Sequence, residues 1–328
     1  MNDEILLTLQ DDLKESASAI LLVGSFADNL ESKTSDIDLF VILKSGFETY
    51  SKDYVPMPIS GRKVEISFFT NSEANTYLDR SKRDFKSTTL RELEIIYKLF
   101  FSRLLQCSPD YEYILSNFEY EQFKIKIIKF YLRQSNGYYD DSVGHYLEGN
   151  WFATAIAVQS YLNTYVDAWL ASNGDMYPKP QHRIAKAIRQ MKPERLEAYC
   201  KILLPEAALI RDDLNNYCKN VSIVARQLQA EIFLSAGDYT IIKEQMSPSL
   251  KVADWLYIYE RGDGFYAKNK TRMYKISRTA YMIILAVSYI EENSRAGLLN
   301  KVRSNEAIDV KQININLTNL EEMGILTI

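Results

Sequence analysis

The chain has 328 residues, 47% hydrophobic and 25% charged, with 12 Gly and 8 Pro. That balance excludes collagenous, fibrous and disordered classes and supports two or three domains with sizeable cores. A formal net charge of -4 gives no overall attraction to polyanions, which argues against general nucleic-acid binding and against a membrane-surface role.

Cys107, Cys200 and Cys218 lie far apart with no CxxC pattern, as suits a reducing compartment. His145 and His182 are too few and too separated to suggest a zinc site. The opening Met1-Asn2-Asp3-Glu4 is acidic where a signal peptide needs basic residues, and no apolar run approaches about 18 residues. A cytoplasmic, soluble protein is expected. The 23 Tyr are read as core and surface residues.

In chain order, residues 1–75 alternate short helix signals with β-rich runs at Ala19 to Val23, Ile37 to Leu43 and Lys63 to Phe69. Residues 76–235 turn helical. Leu93, Ile96, Tyr97, Phe100 and Leu104 form one apolar stripe, and Trp151, Ala155, Val158, Leu162, Tyr165 and Trp169 form a longer one, the seam of a helical bundle. Asn173-Gly174-Asp175 stops that second helix, Pro178 and Pro180 bracket a turn, and a basic helix follows from Arg183 to Arg189. One further helix is expected from Pro205 to about Phe233.

Ser235-Ala236-Gly237-Asp238 marks a boundary, followed by a short helical connector. The last region, within 236–328, reads as three strands, Trp255 to Glu260, Phe265 to Lys268 and Arg272 to Ile276, joined by Gly262-Asp263-Gly264 and Asn269-Lys270. Ser277 caps a long apolar helix, and Val310, Ile313, Leu317 and Leu320 make the stripe of a final helix closed by Gly324. The fold class is therefore α+β: a small mixed-sheet domain, a helical bundle and a C-terminal winged-helix-like domain.

Chemistry concentrates in Leu22-Val23-Gly24-Ser25 and Ser35-Asp36-Ile37-Asp38. On a strand, Asp36 and Asp38 project to one side, where two carboxylates repel unless cations intervene. Hard oxygen ligands suit Mg²⁺, whose remaining ligands commonly come from substrate phosphates. Gly24 permits close backbone approach, and Ser25 offers an N–H and a hydroxyl to a phosphate oxygen. The next β run puts Lys63, Glu65 and Ser67 on one face and Val64, Ile66 and Phe68 on the other, so Glu65 is a third acid inside a sheet. If that strand lies beside the Asp-x-Asp strand, the three carboxylates converge.

The order of an apolar strand, Gly24-Ser25, about ten residues, Asp36-x-Asp38 and an acid one strand later resembles the nucleotidyltransferase superfamily of the DNA polymerase β and kanamycin nucleotidyltransferase type. The resemblance implies a fold with Asp36, Asp38 and Glu65 as catalytic residues holding two Mg²⁺ ions, and Glu65 as the acceptor of the nucleophile's proton. It also implies in-line attack by an acceptor hydroxyl on the α-phosphorus of an NTP, with pyrophosphate leaving. The helical region is similar to the helical domain of bacterial small nucleotidyltransferases, through Glu148-Gly149-Asn150-Trp151 and Ala168-Trp169-Leu170-Ala171-Ser172-Asn173-Gly174. Relatives often carry Lys-Trp in the turn that follows, where this chain has Gln181-His182-Arg183, so Lys179, Arg183 and Lys186 are the candidates for holding the triphosphate. His182 is read as a packing residue.

The last region resembles, more loosely, the PqqD-like peptide-recognition domain of ribosomal-peptide (RiPP) biosynthesis, on its three strands, Tyr274-Lys275-Ile276-Ser277-Arg278-Thr279-Ala280 and the ending from Leu317 to Leu326. That resemblance implies a leader peptide added beside the third strand, with Thr271, Arg272, Met273, Tyr274, Lys275 and Ile276 in the peptide-binding groove and the helix Lys311 to Met323 packed against it. The expected activity is Mg²⁺-dependent NMP transfer to a modified-peptide acceptor. A small aminoglycoside-like antibiotic as acceptor, a non-catalytic adaptor that keeps the fold and a DNA-binding regulator are the alternatives.

Overall fold

The computed structural model describes residues 13, 15–47, 61–83, 88–234, 250–293 and 309–327. The three expected runs become β1 (Ala17–Val23), β2 (Ile37–Leu43) and β3 (Val64–Thr70). Together with β4 (Arg103–Cys107) they form a mixed sheet of order β3-β2-β1-β4. β1 is antiparallel to β2 and to β4, whereas β2 and β3 are parallel. One face of the sheet carries Ile20, Leu22, Leu39 and Val41, and the other Leu21, Val23, Phe40 and Ile42. A register shift between Ala17 and Ala19 sends these two alanines to opposite faces, although regular alternation would keep them together.

The second face is covered by α1 (Asn71–Lys82), α2 (Leu90–Phe100) and α3 (Pro109–Ser116) through Ala74, Leu78, Leu99, Tyr111 and Ile114. Thr70 and Thr89 each start a helix with a capping box, accepting from Glu73 N–H and Glu92 N–H while those glutamates accept from the threonine N–H. The stripe read as one helix through Leu104 is corrected here. α2 ends at Phe100, and Leu104 lies in β4 opposite Leu21. Pairing along the open edge of β1 satisfies more backbone groups than another helical turn would.

Next come α4 (Tyr120–Leu147), α5 (Trp151–Ser172), a 3₁₀ turn at Pro180–His182, α6 (Arg183–Gln190), α7 (Pro193–Leu203), α8 (Ala207–Asp212) and α9 (Leu214–Phe233). Ala155, Val158, Leu162, Tyr165 and Trp169 of the predicted seam are buried. Gly174, with φ +93°, ends that segment as expected. The single helix expected after Pro205 is instead broken at Asp213, whose side chain accepts from Asn216 N–H and starts α9 afresh.

The C-terminal region contains β5 (Lys251–Val252), β6 (Tyr257–Arg261), β7 (Gly264–Lys268), β8 (Met273–Ile276), α10 (Arg278–Asn293), α11 (Val310–Glu322) and β9 (Leu326–Thr327). β6, β7 and β8 form an antiparallel meander, while β5 pairs with β9. Ser277 Oγ accepts from Ala280 N–H at 3.0 Å, the predicted cap. In the α11 stripe, Ile313 and Leu320 are buried but Val310, in the first turn, is exposed. The boundary at Ser235 to Asp238 and the helical connector after it lie outside the described residues.

Contacts group the chain into two compact units, Met1–Ile127 with Gly174–Arg189, and Ile128–Asn173 with Gln190–Ile328. The boundary expected near residue 75 falls inside the first unit, because β4 belongs to the sheet. No helix among the described residues is long and apolar enough to cross a membrane.

Candidate active site

The chain leaves β1 in a tight turn. Gly24 has φ +74°, a left-handed conformation, and its carbonyl accepts from Ala27 N–H and Asp28 N–H at 3.1 and 3.3 Å. Leu30 N–H donates to the Ser25 carbonyl at 2.8 Å. A Cβ on Gly24 would overlap Asp38 Oδ2, so the glycine is what lets this carboxylate lie against the turn. Farther along the loop, Arg62 Nη1 donates to the carbonyls of Ser32 and Ser35 at 3.1 and 3.2 Å and fixes the entry to β2.

Asp38 pairs with Val23 of β1 and with Glu65 of β3. Strands are about 4.8 Å apart and paired residues share a face, so the Asp38 and Glu65 carboxylates are lateral neighbours. Asp36 sits one residue before β2. Val64, Ile66 and Phe68 turn into the opposite core layer as predicted. Glu65 is more open than expected, its side chain 52% exposed, because β3 is the edge strand of the sheet.

The Lys63 ammonium contacts Glu65 and stands 3.9 Å from Asp36 Oδ2. Its pKa is raised, first by the hydrogen bond and charge of Glu65 and then by the charges of Asp36 and Asp38. One cation is thus drawn by all three acids. No three His, Cys, Asp or Glu side chains among the described residues stand close enough together to form a ligand set as they are. The donors nonetheless suit a hard divalent ion. They are carboxylate oxygens on two adjacent strands and just before one of them, the Lys63 ammonium already contacts Glu65 and stands near Asp36, and the lack of a side chain at Gly24 gives room to the Asp38 carboxylate.

Burial raises the Asp38 carboxyl above its ordinary value, and Lys98 and Lys179 oppose that shift while Glu65 and Glu94 add to it. Glu94 and Lys98 were not singled out from the sequence. Their only signal is an acid and a lysine four residues apart on α2, which reads as ordinary helix support. Lys179 reaches Glu94 Oε1 at 2.9 Å and Lys98 reaches the same oxygen at 3.0 Å.

The other phosphate candidates separate. Lys186 is 1% exposed and donates to the Tyr177 carbonyl at 2.8 Å, which fixes it inside the 174–189 segment. Arg183 is half-buried in the first turn of α6. His182 stacks on Tyr177 with ring centroids 5.8 Å apart, the packing role expected of it, and its pKa is lowered by burial and then by Lys179 and Lys186. A further cluster went unread in the sequence: Tyr97 O–H donates to Asp28, and Arg189 donates to the Asp28 carbonyl and to Asp175 Oδ2, both at 2.6 Å.

In the second unit, Thr271, Arg272, Met273 and Lys275 are exposed, Tyr274 is half-buried and Ile276 is buried. Among the described residues β8 pairs only with β7 and forms an edge of its sheet. Asn269 Oδ1 accepts from Thr271 N–H and Arg272 N–H at 3.0 and 2.8 Å and shapes the turn before that edge.

Residues 3–134 match the family model of the nucleotidyltransferase domain, the stretch that contains the Gly24 turn, β2 and β3. The match supports the nucleotidyltransferase superfamily for this part of the chain. A nucleotidyltransferase-like protein from Exiguobacterium sibiricum has a similar solved structure, 13% identical with a TM-score of 0.41, over 77% of this chain and 82% of that one. Comparison with the curated proteins found no match.

Proposed function

We propose that the chain transfers a nucleoside monophosphate from an NTP to an acceptor hydroxyl and releases pyrophosphate. The observation that carries this reading is the pairing of Asp38 with Glu65 beside a glycine that the Asp38 carboxylate itself requires, within the stretch that matches the family model. Asp36, Asp38 and Glu65 would hold two Mg²⁺ ions. When bound, these ions supply stabilisation of the negative charge on the α-phosphate and the leaving pyrophosphate.

The chain's own groups have separate tasks. The Gly24-Ser25 turn offers backbone N–H groups and the Ser25 hydroxyl to phosphate oxygens. Lys179, with Arg183 near it in sequence, supplies positive charge for the triphosphate, and Lys186 supports that segment from inside through Tyr177. Glu65, exposed at the sheet edge, accepts the proton of the acceptor hydroxyl as the oxygen bonds to the α-phosphorus and the bond to pyrophosphate breaks.

The acceptor in this reading is a ribosomally made peptide whose leader adds a strand along Thr271 to Ile276, an assignment supported by the position of β8 at the edge of its sheet among the described residues. The test incubates the protein with α-labelled NTPs, Mg²⁺ and candidate acceptors, both precursor peptides and aminoglycoside-like molecules. Label on a peptide, lost with Asp38→Asn, supports the whole reading. Label on the small molecule alone replaces the peptide acceptor. NTP binding without label on any acceptor leaves an adaptor.

A further inference from the structure

We propose that Glu94 is an internal stand-in for a nucleotide phosphate group, which Lys98 and Lys179 release when they take hold of the triphosphate. The inference rests on the nucleotidyltransferase reading and adds Lys98 and Glu94 to the nucleotide site.

Both ammonium groups meet a single oxygen, Glu94 Oε1, at 3.0 and 2.9 Å. The side chains are largely withdrawn from water, with Lys98 11%, Lys179 25% and Glu94 23% exposed. Two cations so close repel one another, and without water to screen them they need an anion between them. One carboxylate oxygen taking two charged donors is the role that a phosphate oxygen plays in charge-assisted recognition.

The location adds a second, independent observation. Lys98 Nζ lies against the ring of Phe40, which follows Asp38 by two residues on β2 and so shares its face of the sheet. Lys179 meets the same Glu94 oxygen as Lys98, which puts the lysine pair on the side of the sheet that carries the carboxylate assigned to the metal ions. Burial works against ionised Glu94, but its bonds to Lys179 and Lys98 and their charges outweigh burial and keep its pKa low. Two lysines against one glutamate leave one positive charge in surplus beside the site. A triphosphate drawn there must displace Glu94 and also endure its negative charge.

The lysines have support apart from Glu94. Lys98 Nζ lies 5.5 Å from the centroid of the Phe40 ring, and Lys179 Nζ lies 5.9 Å from that of Tyr177. Neutralising Glu94 removes the competing anion and lets the two ammonium groups move apart, each still beside its ring, until a triphosphate supplies the negative charge between them. Unlike a carboxylate that works in catalysis, this one weakens substrate binding.

Titration calorimetry of the full chain with magnesium tripolyphosphate and with the four magnesium NTPs tests this. Glu94→Gln binds about three- to tenfold more tightly than wild type, Glu94→Ala shifts the same way, and Lys98→Met binds at least about tenfold more weakly. The gain from Glu94→Gln vanishes in the Lys98→Met background. Glu94→Gln and Glu94→Ala binding no more tightly than wild type overturns the stand-in while the nucleotidyltransferase reading survives. Wild type that binds none of the probes overturns that reading, and the stand-in with it.

Discussion

Gly24 and Asp38 are coupled more tightly than their separation in sequence suggests. An added Cβ at residue 24 meets both a positive φ and the Asp38 carboxylate, so the backbone must shift or the acid must leave its position. Gly24→Ala is expected to cost about 1–3 kcal/mol of stability and to weaken Mg²⁺-dependent NTP binding, read by urea denaturation and by dialysis with labelled nucleotide. A fully stable, fully binding variant would show that the close approach is dispensable. Asp28 yields a pH prediction. Burial raises its carboxyl from 3.8 to about 6, aided by Asp175 and opposed by the Tyr97 hydrogen bond and by Arg189 and Lys186. The folded state thus binds this proton more tightly than the unfolded chain, so the stabilisation is complete below the unfolded value and is lost as pH rises through about 6. Asp28→Asn should remove about 2–3 kcal/mol of the decline between about pH 4 and about pH 7, measured as urea midpoints at both ends. An equally steep decline in the variant would contradict the assignment. Gly24, Asp38 and Glu65 were legible in the sequence because strand alternation and a glycine turn are local rules. Asp28, Glu94 and Lys98 were not, since their meaning depends on residues 174–189 returning to the first unit.

Among the elements, the strands β1, β2 and β3 were legible from their apolar runs, and β4 was not. Arg103–Cys107 has no alternation that distinguishes it from the last turn of α2, and only the vacant edge of β1 decides in favour of a strand. The break at Asp213 could have been read, because an aspartate three residues before Asn216 is an ordinary N-cap signal that the long apolar pattern obscured. The capping boxes carry measurable energy. Thr89→Ala removes the side chain that accepts from Glu92 N–H at 3.2 Å and should lower stability by about 1 kcal/mol in urea denaturation. Thr89→Ser should recover most of it, and equal loss in both variants would mean that the hydroxyl contributes nothing.

At the scale of the molecule, the second unit joins segments distant in sequence through one buried cation. Arg226, 2% exposed, donates to Ser288 Oγ at 3.0 Å and to the Leu256 carbonyl at 2.8 Å, tying α9 to α10 and to the chain entering β6. Arg226→Ala should lower its unfolding free energy by about 2–4 kcal/mol, through stranded acceptors and lost packing, and unchanged thermal unfolding would refute that role. No sequence period announces such a residue, which looks like one more charge on an amphipathic helix. The central claim concerns the first unit and is tested most directly by equilibrium dialysis of labelled NTPs with and without Mg²⁺, using wild type and Asp38→Asn. The account predicts binding that requires the metal and is lost in the variant. Metal-independent binding, or equal binding by the two proteins, would contradict it.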